Sequence, residues 1–132
     1  IHDIVEIDAG DTPIHAGHAP DDQARREQAA AERIYALLPG AQGDELKALW
    51  REFEEGRSND ARFAKSLDRL QPLIQNVATG GGTWVDHAVT EAQVFERYGP
   101  QISHGSRSLW NYAKGLVTKH FAGRRSSTAN DL

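Results

Sequence analysis

A histidine, an aspartate and a glutamate stand close together at the start of this 132-residue chain, and each can bind a metal ion or carry a proton. His2 and Asp3 are adjacent, and Glu6 follows within the run HDIVEIDAGD, residues 2–11. Aliphatic residues alternate with these charged ones, which neither a surface loop nor an ordinary core helix would require. The mixture predicts a polar cluster in an apolar wall, which is typical of a metal site or a buried acid–base pair.

The spacing of these residues on a helix indicates how they could share an ion. His2 and Glu6 are four residues apart and lie on one face, whereas Asp3 is rotated by roughly 100° from His2. Adjacent residues can still bracket one ion when it lies over the seam between them. Two ligands alone do not make a tight site, so a further ligand must come from a distant part of the chain.

Asp68 is the best candidate for that distant ligand. It lies between Leu67 and Leu70 on an otherwise apolar stretch, where an unpaired buried carboxylate would be costly. Two other interpretations stay open at this point. Asp68 could form a local ion pair with Lys65 or Arg69, or it could be exposed on the polar side of its helix.

The composition limits the classes of function. A net charge of −4 disfavours nucleic acid as a partner, because a phosphate-binding surface usually needs an excess of basic residues. Cysteine is absent, so a metal must be held by histidine, aspartate or glutamate. No apolar stretch approaches the roughly 18 residues that a membrane span needs, and no signal peptide is visible. We therefore expect a cytoplasmic protein that binds neither nucleic acid nor membrane.

Apolar periodicity predicts an all-α fold of about five or six helices, without strands. We expect Pro72 to kink or break one helix near residues 68–70, and Gly99-Pro100 to end the next. The glycine run within residues 79–83 is expected to be a flexible connection. The predicted organisation is one helical domain, residues 1–123, followed by a disordered tail, residues 124–132. The predicted helices extend to Ala9, from Asp21 to Leu38, from Asp44 to Gly56, from about residue 59 onward, from Thr90 to Tyr98, and from about Ser106 to Gly123.

Two segments carry a resemblance to a known family. The run HDIVEIDAGD, followed at residues 63–76 by FAKSLDRLQPLIQN, resembles the HD-domain metal-dependent phosphohydrolases, and most closely the branch that includes the 5′-deoxynucleotidases. That family is all-helical. The resemblance implies that His2 and Asp3 form its His-Asp doublet and that Asp68 is its distant metal ligand. It also implies near-site acids at Glu6 and Asp11, with catalytic roles.

The family places another histidine ligand on a helix upstream of the doublet, and no residue here matches it. His15 and His18 follow the doublet and cannot be that ligand. We therefore expect the chain to be the C-terminal portion of a longer domain that lacks its first helices. Uncovered apolar faces of Ile4, Val5 and Ile7 would then favour a homo-oligomer, most simply a dimer.

The function implied by the resemblance is metal-dependent hydrolysis of a phosphate ester, with a nucleoside 5′-monophosphate as the expected substrate. The cofactor would be a divalent ion such as Mn, Co, Mg, Zn, Fe or Ni, because imidazole and carboxylate ligands suit these metals. The alternative is a degenerate HD-like helical domain that has lost catalysis and binds a nucleotide or a protein partner. Dependence of activity on a divalent metal distinguishes the two.

Overall fold

The structure, a computed structural model, describes residues 1–11 and 20–130, and it has no strand in those ranges. The all-α prediction is confirmed. A single 3-10 turn, His2–Val5, precedes the first α-helix. The α-helices of the described residues are α1 (Glu6–Ala9), α2 (Pro20–Tyr35), α3 (Ala41–Glu55), α4 (Asn59–Ala78), α5 (Thr83–Asp86), α6 (Glu91–Gly105) and α7 (Arg107–Asn130).

The chain divides into two compact units, Ile1–Arg57 and Ser58–Leu132, each with its own buried core. The assignment of residues 1–123 to one domain stays a prediction. None of the described helices is long and apolar enough to cross a membrane. The first core contains Val5, Ala9, Ala30, Ala31, Tyr35 and Trp50. The second contains Leu70, Leu73, Trp84, Val94, Tyr98, Ile102, Ala113 and Val117.

Helix α4 is continuous through Pro72, so the predicted break near residues 68–70 is wrong. A proline inside a helix removes one backbone hydrogen bond and costs about 3 kcal/mol. Leu70 and Leu73 lie on either side of Pro72 and are both buried in the second core. Burying two such side chains contributes about 1.5–3 kcal/mol each, which is enough to offset the proline.

Helix α6 is likewise continuous through Gly99 and Pro100, so its predicted end at Tyr98 is wrong. Gly99 is buried, and a Cβ atom there would lie 2.8 Å from the indole ring of Trp110. The glycine therefore permits close packing of α6 against α7, and this packing keeps the helix intact. At the start of α6, the hydroxyl of Thr90 accepts a hydrogen bond from the backbone N–H of Gln93 and caps the helix, which confirms the predicted helix start.

The last helix also extends further than the sequence predicted. Helix α7 continues through Gly123 to Asn130, so the predicted helix end at Gly123 is wrong. The assignment of residues 124–132 to a disordered tail stays a prediction. One glycine inside a helix costs about 1 kcal/mol, which does not stop a helix of this length. Residues 131–132 lie outside the described part of the chain.

The glycine run before α5 forms a turn held by hydrogen bonds, in place of the predicted flexible connection. Its three glycines have positive φ angles of 72°, 119° and 41°. The backbone N–H of Gly81 donates to the carbonyl oxygen of Asn76 at 2.7 Å. The side-chain amide oxygen of Asn76 accepts the hydroxyl of Thr83 at 3.0 Å. A buried asparagine at the end of α4 therefore sets the path of the chain into α5.

Candidate metal centre

The segment that carries the His-Asp doublet is short and is held in place by α2. It consists of the 3-10 turn and the four residues of α1, and it ends at Gly10, whose φ of 76° suits glycine. Val5 and Ala9 are buried in the first core. The hydroxyl of Tyr35 donates to the carbonyl oxygen of Ile1 at 3.0 Å. Apolar contacts and this hydrogen bond therefore fix both ends of the segment.

Charged and polar contacts add to this docking. The guanidinium of Arg33 on α2 donates to both carboxylate oxygens of Asp8, and its Nη2 lies 2.7 Å from Oδ1. Hydrogen bonding to Arg33 lowers the pKa of the Asp8 carboxyl. The side-chain amide of Gln23 donates to the carbonyl oxygen of Gly10 at 3.2 Å. Asp8 is thus occupied in holding the segment to α2.

The structure brings His2 and Asp3 together within the 3-10 turn. Nε2 of His2 lies 2.8 Å from Oδ1 of Asp3. Two ligand atoms that each lie about 2.1 Å from one octahedral ion are about 3 Å apart. The observed separation matches two neighbouring positions of a single coordination sphere, and it is equally the length of a hydrogen bond between the imidazole and the carboxylate. The shared ion stays a prediction.

An aromatic ring from α3 supports the histidine. The imidazole of His2 stacks on the ring of Phe53 with 4.1 Å between centroids and 23° between planes. The spacing of Leu46, Leu49, Trp50 and Phe53 predicts one apolar stripe on this helix. That spacing gives no indication that the stripe meets the doublet. A ligand held by packing loses little side-chain entropy when a metal binds, so Phe53 favours a preorganised site.

Glu6 lies among other carboxylates of the first unit. Partial burial is the largest cause of its raised pKa, and the negative charges of Asp11, Asp3 and Glu27 raise it further, while His2 lowers it. The structure therefore brings the two predicted catalytic acids, Glu6 and Asp11, into electrostatic range of each other and of Asp3. Glu27 was not identified from the sequence, because its approach depends on how α2 packs. A divalent cation would relieve the repulsion within this group, which fits a metal site.

The raised pKa of Glu6 predicts how pH and stability are linked. The folded state binds the Glu6 proton more tightly than the unfolded chain, so ionisation destabilises the fold as pH rises through the raised pKa. Glu6→Gln should therefore raise the melting temperature in EDTA at pH 7, and this difference should vanish near pH 3. Circular dichroism melts at low ionic strength measure it, with Glu45→Gln on α3 as the exposed control. A lower melting temperature for Glu6→Gln at pH 7 would contradict the prediction.

Asp68, the predicted distant ligand, lies on α4 in the second unit. Helix α6 contacts α4 on both sides of Asp68. Ser66 is fully buried, and Arg69 donates to the side-chain oxygen of Gln101 at 3.1 Å. A Cβ atom on Gly105 would lie 2.2 Å from the carbonyl oxygen of Arg62, so the two helices are in close contact there. The meeting of Asp68 with the doublet stays a prediction.

Comparison with known proteins identifies the family. The family model described as HD domain matches residues 1–110, which is most of the chain. The chain belongs to the HD domain family. The match includes the doublet, Glu6, Asp11 and Asp68. His15 and His18, which the sequence excluded as the upstream ligand, lie outside the described residues.

Curated relatives of this HD domain chain carry the name 5′-deoxynucleotidase HDDC2. The mouse and human proteins are each 35% identical to it over 75 residues, which cover 57% of this chain and 38% and 37% of theirs. A fission yeast relative, named 5′-deoxynucleotidase hdd1, is 27% identical over 79 residues and is covered to 40%. The chain thus matches about two fifths of the length of these relatives.

A solved structure is similar over a longer stretch of the HD domain chain. It is the crystal structure of a predicted metal-dependent phosphohydrolase from Magnetospirillum magnetotacticum, with 50% sequence identity and a TM-score of 0.82. The similarity covers 92% of this chain and 60% of that one.

Proposed function

We propose that this chain is part of a metal-dependent phosphohydrolase that releases phosphate from a nucleoside 5′-monophosphate. The observation that carries the proposal is the His2–Asp3 pair, whose side chains lie 2.8 Å apart beside further carboxylates in a member of the HD domain family. The relatives named 5′-deoxynucleotidase support a nucleotide substrate. The similar structure described as a metal-dependent phosphohydrolase supports the reaction class.

The proposed metal ligands are His2, Asp3 and Asp68. One imidazole and two carboxylates form a nitrogen and oxygen donor set that suits Mn, Co, Mg, Zn, Fe or Ni. The stacking of His2 on Phe53 supports the proposal because it limits the rotation of the imidazole. Asp68 would supply the charge that the doublet lacks, and it lies within the span of the family match.

The remaining acids have roles that follow from their surroundings. A divalent ion bound here would supply Lewis acidity toward the phosphoryl group and would make water a better nucleophile at neutral pH. Glu6, with its raised pKa, is suited to accept a proton from the attacking water and return it to the leaving oxygen. Asp11 raises the pKa of Glu6 by its charge and so helps it to hold that proton.

A phosphate-release assay tests this function. The purified protein is incubated with Mn or Co and with matched pairs of 5′- and 3′-monophosphates, in both deoxy and ribo forms. We expect release from the 5′ isomers, loss of activity in EDTA, and recovery when the metal is returned in excess. Turnover that resists EDTA would contradict the metal mechanism. Absence of turnover with every divalent ion, together with saturable nucleotide binding, would favour the non-catalytic HD-like domain.

We also propose that the protein forms a homodimer, with the cytoplasm as its predicted location. Ile4 is 38% exposed and Ile7 is 76% exposed, and such apolar surface favours association. Val5, which was expected on the same uncovered face, is instead buried in the first core, because the 3-10 turn directs it toward α2. Light scattering should give twice the monomer mass. The substitution Ile7→Glu should reduce the measured mass toward that of the monomer. A monomer at micromolar concentration would contradict the dimer.

A further inference from the structure

Helix α4 exposes three large apolar side chains along one side. Phe63 is 47% exposed, Leu67 is 44% exposed and Ile74 is 38% exposed. None of the three is part of either buried core. We refer to these three residues as the α4 patch. Contiguous apolar surface marks sites of association, whereas single exposed apolar residues are common on any protein.

The side chains of the α4 patch leave the helix in nearly the same direction. With a rotation of about 100° per residue, Phe63, Ile74 and Leu67 fall within about 40° of one another, and they span about 16 Å along the helix axis. Leu70 lies next to this line but is only 6% exposed, because it belongs to the second core. The patch is therefore one continuous apolar line on the surface of the second unit.

Packing of the buried side of α4 holds the α4 patch in place. Ser66 and Leu73 on that side are fully buried. A Cβ atom on Gly105 of α6 would lie 2.7 Å from Cβ of Ser66, so the two helices are in close contact. A helix held in this way presents its exposed side chains at fixed spacing. A partner would therefore meet a preformed surface, which lowers the entropic cost of binding.

The apolar spacing along α4 is the same when it is read in either direction. Phe63, Leu67, Leu70 and Ile74 follow one another in steps of four, three and four residues. A second copy placed antiparallel across a two-fold axis would set Phe63 against Ile74 of the second copy. The two Leu67 side chains would then lie together beside the axis. A two-fold contact uses one surface twice, so that surface must be complementary to itself, and this spacing meets the requirement.

Electrostatic repulsion does not oppose this pairing. Within the length of the α4 patch, the neighbouring positions on its solvent side are Ala64 and Gln71, which carry no charge. Two copies of a charged surface would repel each other, because they carry the same sign. An uncharged apolar surface instead gains free energy when a second copy removes it from water.

We propose that the α4 patch binds a second copy of this chain, with the two α4 helices antiparallel. Its three side chains offer much less area than the roughly 800 Å² per partner of a standard stable interface, so the contact is weak and forms at high protein concentration. The contact is separate from the dimer proposed at Ile7, and it does not depend on the hydrolase function.

Sedimentation equilibrium tests the contact in the full chain carrying Ile7→Glu, which removes the contribution of that separate surface. We expect the mass to rise from monomer at about 10 μM toward dimer at about 1 mM, as a small interface implies. Leu67→Glu should weaken this association about 10-fold or more, because it removes apolar contact and places two carboxylates beside the axis. Leu49→Glu, the same change at a leucine of α3 that is 53% exposed, should leave the association unchanged.

The absence of cysteine from the sequence permits a test of orientation in the same Ile7→Glu background. Copies with Phe63→Cys are mixed with copies with Ile74→Cys and treated with a short bifunctional maleimide. An antiparallel contact should cross-link the mixture. Each variant alone should cross-link far less, because its two cysteines would lie at opposite ends of the patch, about 16 Å apart. Tyr112→Cys, at an exposed position on α7, is the control for chance encounters.

The possible outcomes separate this contact from other uses of the α4 patch. A monomer at every concentration would assign the patch to a different protein or to a hydrophobic ligand. Equal association of the Leu67→Glu and Leu49→Glu variants would place the contact elsewhere on the chain. Cross-linking of either cysteine variant with itself as efficiently as in the mixture would indicate a different arrangement. Each of these results would overturn the proposal.

Discussion

Replacing Asp68 by asparagine should lower the metal-dependent rate of phosphate release by about 100-fold or more. Asparagine keeps the size of the side chain but removes the negative charge that the proposed site needs. Loss of a residue that only orients a ligand already costs about 10–100-fold in metal affinity or activity, and a direct ligand should cost at least as much. Initial rates at saturating Mn, and the dissociation constant for Mn from calorimetry, measure the effect.

Asp60→Asn is the matched control for this experiment. Asp60 is an exposed residue in the first turn of α4, so the same chemical change occurs on the same helix. The control should retain the rate and the Mn affinity of the unaltered protein. An unchanged rate for Asp68→Asn would show that Asp68 is not a ligand, whereas equal losses in both variants would indicate damage to α4.

The second large effect is expected for Gly105→Ala, at the contact between α6 and α4. The added Cβ would lie 2.2 Å from the carbonyl oxygen of Arg62 and 2.7 Å from Cβ of Ser66. Neither the backbone nor a fully buried side chain can move without a large cost in free energy, so the helices must separate. We expect a loss of about 3 kcal/mol in the free energy of unfolding, at the upper end of typical overpacking. Urea denaturation measures it.

Gly115→Ala provides a control with the opposite sign. Gly115 lies inside α7, and among the described residues no atom outside the adjoining helix backbone and its chain neighbours lies within 4 Å of the position that its Cβ would occupy. An exposed helical glycine is about 0.5–1 kcal/mol less favourable than alanine, so this variant should be more stable than the unaltered protein. If both alanines shifted the free energy of unfolding in the same direction, the close contact at Gly105 would not explain the first result.

Local spacing was sufficient to predict the helices and several core positions. Trp50 is buried as expected, whereas Leu49 of the same apolar stripe is 53% exposed. Thr90 caps α6. The predicted helix interruptions at Pro72 and Gly99 are wrong. The free-energy cost of each residue inside a helix is smaller than the stabilisation from the packing of neighbouring side chains. A sequence pattern shows the cost of a proline or glycine, but not the contacts that outweigh it.

The candidate site, like the fold, could be predicted from the sequence only in part. The adjacency of His2 and Asp3, and the proximity of Glu6, follow from positions in one short segment. The support from Phe53 and the charge of Glu27 come from α3 and α2, and no spacing rule connects those helices to the N-terminal turn. The role of Asp68 depends on an approach between distant parts of the chain, and it stays a prediction drawn from the family resemblance.

The docking of the N-terminal segment has a consequence for metal affinity. One 3-10 turn and four α-helical residues are too short to be stable alone, so the segment is ordered only while Tyr35 and Arg33 hold it. The proposed site would bind metal only in the docked state, and its apparent affinity would be the intrinsic affinity reduced by the docked fraction. Substitutions of Tyr35 or Arg33 would therefore change the apparent metal affinity, although neither side chain would contact the metal. A bound ion would in turn shift the population toward the docked state and slow amide hydrogen exchange throughout the segment.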